Sequence, residues 1–233
     1  MADTILITGA NRGIGLELSR QYAAAGWRVY SCCRSLEAAH ALNNLASTTS
    51  QGEITVHLLD VTNATHISAM SNMLEGIPID VLFNNAGTYG QADACFGNTD
   101  EAKWLDAFRI NTIAPLKMME TFAVNVAKSE QKIIVAMSSK MGSMEDNTSG
   151  GSYVYRSSKA ALNSAIKSAA IDLRPRDIKV VSLHPGWVMT DMGGANALIS
   201  AEECVTKLRS ILGRITISDS GRFIQVDGST VPW

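Results

Sequence analysis

Tyr155 and Lys159 are the residues best placed by type and spacing to do chemistry. They stand four apart in Ser152-Tyr-Val-Tyr155-Arg-Ser-Ser-Lys159-Ala-Ala-Leu-Asn163, whose pattern predicts the first turns of a helix. Positions four apart share a helix face, so phenol and ammonium can point into one space. A neighbouring cation favours the phenolate and should lower the phenol's pKa. A phenol tuned this way gives a proton to a carbonyl oxygen, or takes one from an alcohol, near neutral pH. Alone, the spacing is weak, because on most helices such a ring simply packs over an alkyl stem. Tyr153 is a chemical equivalent with no lysine four residues later.

Three other segments strengthen the reading. Thr4-Ile-Leu-Ile-Thr8 reads as a strand, Gly9-Ala-Asn11-Arg12-Gly13-Ile14-Gly15 as a tight turn, and Leu16 to Ala25 as a helix stopped by Gly26. Glycines there let the chain turn and let a pyrophosphate approach amides at a helix N-terminus. Ile79 to Asn84 reads as a strand ending in Asn85-Ala86-Gly87, at the end where open parallel sheets bind ligands. Asn84 has the simpler reading of a strand-ending turn. Lys132 to Met137 is a buried-looking strand that emerges as Ser138 and Ser139. A hydroxyl at that tip can hydrogen-bond a substrate oxygen, or merely end a strand.

Around these segments the chain alternates strands and helices. Further strands are predicted at Arg28–Cys33, Ile54–Leu59, Lys179–His184 and Arg222–Val226. Helices are predicted from Glu101 to Lys128, broken in pattern near Ala114-Pro115, and from Tyr153 to Leu173. Ser200-Ala-Glu-Glu203 is a capping-box pattern opening another helix. The expected architecture is α/β: a Rossmann-type, doubly wound parallel sheet of about seven strands with helices on both faces. No linker or repeat divides the 233 residues, so one dinucleotide-binding catalytic domain spanning 1–233 is expected.

A hydrophobic share of 46% and a net charge of −2 suit a globular protein and give no reason to expect nucleic acid or an anionic membrane. No leader-like or transmembrane-length segment is evident, which points to the cytoplasm. Cys32, Cys33, Cys95 and Cys204 lack metal-ligand spacing and the four histidines do not cluster, so no metal is expected.

Together these segments resemble the short-chain dehydrogenase/reductase family over essentially the whole chain. The matching residues are Thr8-Gly9-x-x-x-Gly13-x-Gly15, Asp60, Asn84-Asn85-Ala86-Gly87, Asn111, Ser139, Tyr155-x-x-x-Lys159 and Pro185-Gly186. Cys33-Arg34-Ser35, the run from His184 to Gly194 and the tail from Gly221 to Trp233 resemble the branch of sniffer-type carbonyl reductases and C-factor-like proteins. The resemblance implies hydride transfer to a small-molecule carbonyl, with Tyr155 as acid and Ser139 orienting the oxygen. Lys159 would hold the nicotinamide ribose and lower the Tyr155 pKa, and Asn111 would anchor a water relaying protons to Lys159. Asp60 would accept from the adenine amino group, with a turn-capping aspartate as the plainer alternative. Asn11, Ile14, Val61, Asn85, Ala86 and Gly87 would complete the cofactor's bed. Pro185, Gly186, Val188 and Thr190 would flank nicotinamide and phosphates. A homodimer or homotetramer through the two long helices is also implied.

The cofactor is expected to be NADP(H). In dinucleotide folds a carboxylate at the end of the second strand binds the ribose 2′-hydroxyl of NAD, whereas arginine suits a 2′-phosphate. Here that strand ends in Cys33-Arg34, and Arg12 adds a second guanidinium. Reduction is favoured over alcohol oxidation because cells hold this cofactor mostly reduced. An NADP(H)-binding signalling protein with incidental turnover, and an NADP-dependent alcohol dehydrogenase, are the alternatives. One departure is the sixteen-residue separation of Ser139 and Tyr155, longer than the family's commonest spacing. It leaves Ser143 as a rival to Ser139. The segment from Met192 to Ser200 is short for a lid and predicts an open or shallow pocket. Met141, Met144, Met189 and Met192 are candidates for an adaptable wall, or for core.

Overall fold

Runs of aliphatic and β-branched residues extend as seven strands in the computed structural model, which describes residues 2–233. They are β1 (Thr4–Thr8), β2 (Arg28–Cys33), β3 (Glu53–Leu58), β4 (Val81–Asn84), β5 (Ile133–Met137), β6 (Lys179–His184) and β7 (Phe223–Gln225). All pair in parallel, in the order β3-β2-β1-β4-β5-β6-β7. Such a sheet is covered on both faces, which is why β1 and β5 read as unbroken apolar runs rather than alternations. The third, fifth and seventh strands start or stop one residue from their predicted bounds, and the fourth starts two residues late, at Val81.

The helices are α1 (Gly13–Ala24), α2 (His40–Thr48), α3 (Ala64–Met73), α4 (Glu101–Phe108), α5 (Ala114–Ala127), α6 (Tyr153–Asp172) and α7 (Ala201–Leu212). Strand alternation sorts them into two layers. Ile5, Ile7, Phe83 and Val135 face Leu18 of α1 and Leu208 of α7. Leu6, Leu82 and Ile134 face Phe122 of α5 and Ile166 of α6. Among the described residues no helix is long and apolar enough to cross a membrane.

Two local expectations need correction. The long helix from Glu101 is three pieces: α4, a π-helical turn at Arg109–Ile113, and α5 with Pro115 in its first turn. Proline has no N–H to give, and its ring crowds the carbonyl four residues back, here that of Asn111, so the turn widens. The capping box at α7 is half formed. Ser200 Oγ accepts from the Glu203 amide at 3.0 Å, while the Glu203 carboxylate pairs with Lys207 at 2.7 Å.

Connections leave β1 and β4 toward opposite edges of the sheet. The adjacent carboxyl ends of these neighbours therefore bound a crevice, the ligand position of an open α/β sheet. The α5 layer that backs it is set by burial. Phe122→Ala, at a fully buried ring, should cost ~3–5 kcal/mol in urea unfolding. Val124→Ala on the exposed side of the same helix should stay within ~0.5 kcal/mol.

Candidate active site

The crevice is a cleft of about 760 Å³. Its floor is the glycine turn between β1 and α1. Gly9 has φ +65°, and a Cβ there would lie 2.9 Å from Ala86 Cα. Both facts demand glycine. At Gly15 a Cβ would strike the Gly9 carbonyl. α1 begins at Gly13 with no side-chain cap from Arg12, leaving the first amides of the helix free to meet an anion. Asn11, Arg12, Gly13 and Ile14 line the cleft beside Gly9.

Asn85 ties this turn to β4. Its Nδ2 donates to the Thr8 and Gly9 carbonyls at 3.0 Å each, and Thr8 Oγ1 accepts from the amides of Asn85 and Ala86 at 3.1 and 3.0 Å. Asn84 does not share this work: its amide is buried, and neither polar atom has a protein partner. Ala86 and Gly87 continue the wall.

At the other end Arg34, Asp60 and Val61 line the cleft. Arg12 Nη1 lies 2.6 Å from Asp191 Oδ2, with both side chains mostly exposed. Asp60 caps its own turn, with Oδ1 accepting from Thr62 N at 2.9 Å and Thr62 Oγ1 at 2.7 Å. Partial burial opposes its ionisation, but the Thr62 bonds and the His66 and Arg34 charges together hold its pKa below the usual aspartate value. Pro185 and Thr190 reach the cleft. Val188 does not supply a side chain to it: Val188 is buried in the core and bridged to Ile199. Gly186 turns with φ +81° against Ile199 and Val226.

Tyr155 and Lys159 meet as their spacing predicts, but not with the predicted electrostatics. Lys159 Nζ donates to the Met137 carbonyl at the tip of β5, 2.8 Å away, and lies 5.8 Å from the Tyr155 ring centroid. Burial pushes the Tyr155 phenol up to about 12, against a hydrogen bond with Ser139 that pulls it down. Burial lowers the Lys159 ammonium to about 8. Desolvation thus dominates both groups, and the phenol is a weaker acid than the helix spacing implies.

Ser139 and Ser143 separate cleanly. Ser139 Oγ accepts from the Met141 amide at 3.2 Å and lowers the Tyr155 pKa, while it is Ser138 that lines the cleft. Ser143 Oγ is spent on the tail, donating to the Trp233 main-chain oxygen at 3.3 Å and accepting from Asp146 N at 3.1 Å. Asn111 is fully buried in the π-helical turn. Its Oδ1 accepts from Thr88 N, and its Nδ2 donates to Thr88 O and Ser158 Oγ, at 2.8–2.9 Å. A Cβ on Gly87 would lie 3.2 Å from Asn111 Oδ1 and 3.6 Å from Lys159 Nζ, so the bare glycine lets the two approach. Of the four methionines only Met192 lines the cleft; Met144 and Met189 are exposed.

Tyr89 was not singled out by its sequence context. It lines the cleft and stacks on Tyr155, with centroids 4.5 Å apart and planes 17° from parallel. Its neighbour Gly87 was the visible signal; a tyrosine two residues beyond a strand-end glycine carries none of its own. The assembled group offers a protonated, buried phenol opening into the cleft, with Ser139 beside it and an uncapped helix N-terminus along the floor. That arrangement can protonate an oxygen while a dinucleotide lies along the glycine turn.

The Lys159 shift carries a signature in stability. Between its folded pKa of about 8 and the ordinary lysine value of 10.5, the unfolded chain holds a proton that the folded protein has released, so stability rises with pH. Relative to Lys159→Met, the unmodified protein should gain about 2 kcal/mol between pH 8 and 10 in urea unfolding. Above pH 10 Tyr155 reverses the trend, since the folded phenol keeps a proton that the unfolded one loses. A pH-independent difference would exclude a buried, depressed ammonium.

The short chain dehydrogenase family model matches residues 3–198. C-signal of Myxococcus xanthus is 41% identical over 156 residues, 67% of this chain and 93% of that protein. The carbonyl reductase Sniffer of D. melanogaster superposes with a TM-score of 0.89 at 32% identity, covering 100% of both chains. An NADPH-bound carbonyl reductase from chicken fatty liver gives 0.90 at 31% identity, covering 100% of this chain and 99% of that one. On sequence, fold and site, the chain belongs to the short-chain dehydrogenase family and is an oxidoreductase of that family.

Proposed function

We propose that this protein is an NADPH-dependent carbonyl reductase that converts an aldehyde, ketone or quinone to the alcohol. The observation that carries the reading is that Tyr155 and Lys159 open into the same cleft as the glycine turn, with Lys159 bonded to the β5 tip and Ser139 beside the Tyr155 phenol. The likeness to two carbonyl reductases supports it.

Held along the glycine turn of Gly9, Gly13 and Gly15, a reduced nicotinamide cofactor would supply the hydride for the carbonyl carbon. The Ser139 hydroxyl orients the carbonyl oxygen by hydrogen bonding. Tyr155 gives that oxygen its phenolic proton, so the former C=O π pair becomes the new O–H bond. Lys159 steadies the phenolate left behind, which then recovers a proton from solvent. A phenol near 12 is protonated throughout neutral pH, the form that reduction consumes.

Arg12 and Arg34 support NADPH over NADH, as does the lack of a carboxylate at the end of β2. The Arg12–Asp191 pair is exposed and is worth about 1 kcal/mol at most. A dianionic phosphate offering charge-assisted bonds to two guanidiniums outcompetes it.

NADPH oxidation over a panel of aldehydes, ketones and quinones tests the reading. Tyr155→Phe should lower kcat by ~10²–10⁴-fold. Arg34→Ala should weaken NADPH binding by about 10–100-fold while leaving NADH within about threefold. Tight NADPH binding with no turnover on any carbonyl would shift the weight to a dinucleotide-binding signalling protein, the reading that the C-signal relative motivates. Equal affinity for NADH would remove the cofactor assignment.

A further inference from the structure

We propose that Tyr89 is a positioning residue for proton transfer: its ring fixes the plane of Tyr155, and its hydroxyl, tied to α6, fixes the ring. The inference rests on Tyr155 as the proton donor. Tyr89 stacks on Tyr155 at 4.5 Å and 17°. Its hydroxyl shares a 3.1 Å hydrogen bond with Ser152 Oγ, at the residue that precedes α6. Stack and hydrogen bond therefore grip the same helix from the same side chain. Offset aromatic pairs at this separation are attractive and orientation-dependent.

The turn that presents Tyr89 is fixed on both sides. Asn111 holds the amide and carbonyl of Thr88, the residue before it. Gly90, the residue after it, has φ +71°, and a Cβ there would lie 2.6 Å from Val154 Cγ1 of α6. Glycine lets the turn press against the helix. Ser152 itself has φ +48°, and its amide donates to the Ala94 carbonyl at 2.8 Å. A serine in the left-handed region persists only where its surroundings hold it. Those surroundings are the loop that carries Tyr89.

A free phenol on the first turn of a helix swings about χ1 and χ2. Proton transfer needs its oxygen within hydrogen-bond reach of the substrate oxygen, and small misplacements are costly. The polar and titratable groups facing Tyr155 are Lys159 from α6, Ser139 from beyond β5 and Tyr89 from beyond β4. Lys159 Nζ stands over the ring 5.8 Å from its centroid, while Tyr89 is the one that stacks flat against it. It thereby also contributes to the burial that keeps the phenol protonated.

The test uses the full chain with Tyr89→Phe and Tyr89→Ala, each also made in a Tyr155→Phe background. Reduction of 4-nitrobenzaldehyde by NADPH gives kcat and KM, and fluorescence quenching gives NADPH affinity. Tyr89→Phe keeps the ring and loses only its tie to Ser152, so kcat should fall less than in Tyr89→Ala, by about three- to tenfold. Tyr89→Ala should lower kcat by about 10–100-fold, with KM and NADPH affinity within about threefold. Tyrosinate absorbance, taken as the difference between each protein and its Tyr155→Phe counterpart, reports Tyr155 without requiring turnover. Removing the Tyr89 ring admits water, so Tyr155 ionisation should move down by about one pH unit in Tyr89→Ala and by less in Tyr89→Phe, which loses only the repulsion between the two phenols. If no carbonyl is reduced even by the unmodified protein, the functional reading fails, and the absorbance titration still decides the role of Tyr89. A Tyr89→Ala protein with lowered Tm but unchanged kcat and unchanged Tyr155 titration would reduce Tyr89 to packing and overturn the proposal.

Discussion

One buried cation held by a main-chain carbonyl organises this cleft. Lys159 is 4% exposed, and among the described residues no carboxylate lies within ion-pair distance of it. Its 2.8 Å bond to Met137 O is weak compensation for taking an ammonium out of water. The bond has a positional result: it fixes α6 against the tip of β5. One turn further along the same face, Asn163 Oδ1 accepts from Ser138 Oγ at 2.6 Å. Tyr155, Lys159 and Asn163 thus form a polar stripe on a helix whose other inward residues, such as Leu162 and Ile166, are core. A leucine in place of Lys159 would suit the fold better. Retaining the lysine spends stability on a site, as functional positions commonly do.

A second chain of bonds carries the same constraint to the opposite wall. Asn111 grips Thr88 and donates to Ser158 Oγ at 2.9 Å, and Ser158 Oγ donates to the Tyr155 carbonyl at 2.8 Å. The widened turn forced by Pro115 aims Asn111 at this position. A regular helix through residues 101–127 would rotate that side chain away from the β4 loop. The proline, which looks like a simple interruption, is therefore part of the apparatus that sets the wall facing Tyr155.

Much of this was legible because it follows from local rules. The seven strands, the glycine turn and the lysine one turn after the tyrosine are periodicity and steric demands, and they appear within two residues of where they were read. The Gly9 requirement was legible in kind; its cause, Ala86 pressing from β4, belongs to the tertiary structure. What was not legible depended on contacts between distant segments. Ser139 and Ser143 look alike until the tail claims Ser143. Val188 looks like a cleft residue until its bridge to Ile199 turns it inward. The sign of the Tyr155 shift was misread because helix spacing reveals a nearby charge but not the depth of burial. Tyr89 needed the fold before its ring could be seen against another.

The far side of the cleft explains where selectivity must reside. The segment after β6 folds back on itself, with Met189 N donating to Ile199 O at 2.9 Å and Trp187 Nε1 to Gly193 O at 2.7 Å. Trp187, Met192 and Leu198 are left substantially exposed. A strap this short, tied to itself, leaves an apolar rim instead of an enclosing lid. Such rims discriminate weakly, by ~1–3 kcal/mol per methylene. On the proposed carbonyl reduction, the demanding part of recognition is polar: a substrate would have to present an oxygen that accepts from both Ser139 and Tyr155. A molecule lacking it would leave the buried phenol and hydroxyl without that partner, a heavier penalty than any loss of apolar contact. On that reading the site would select a functional group through two hydroxyls, while its open wall tolerates variation in what that group is attached to.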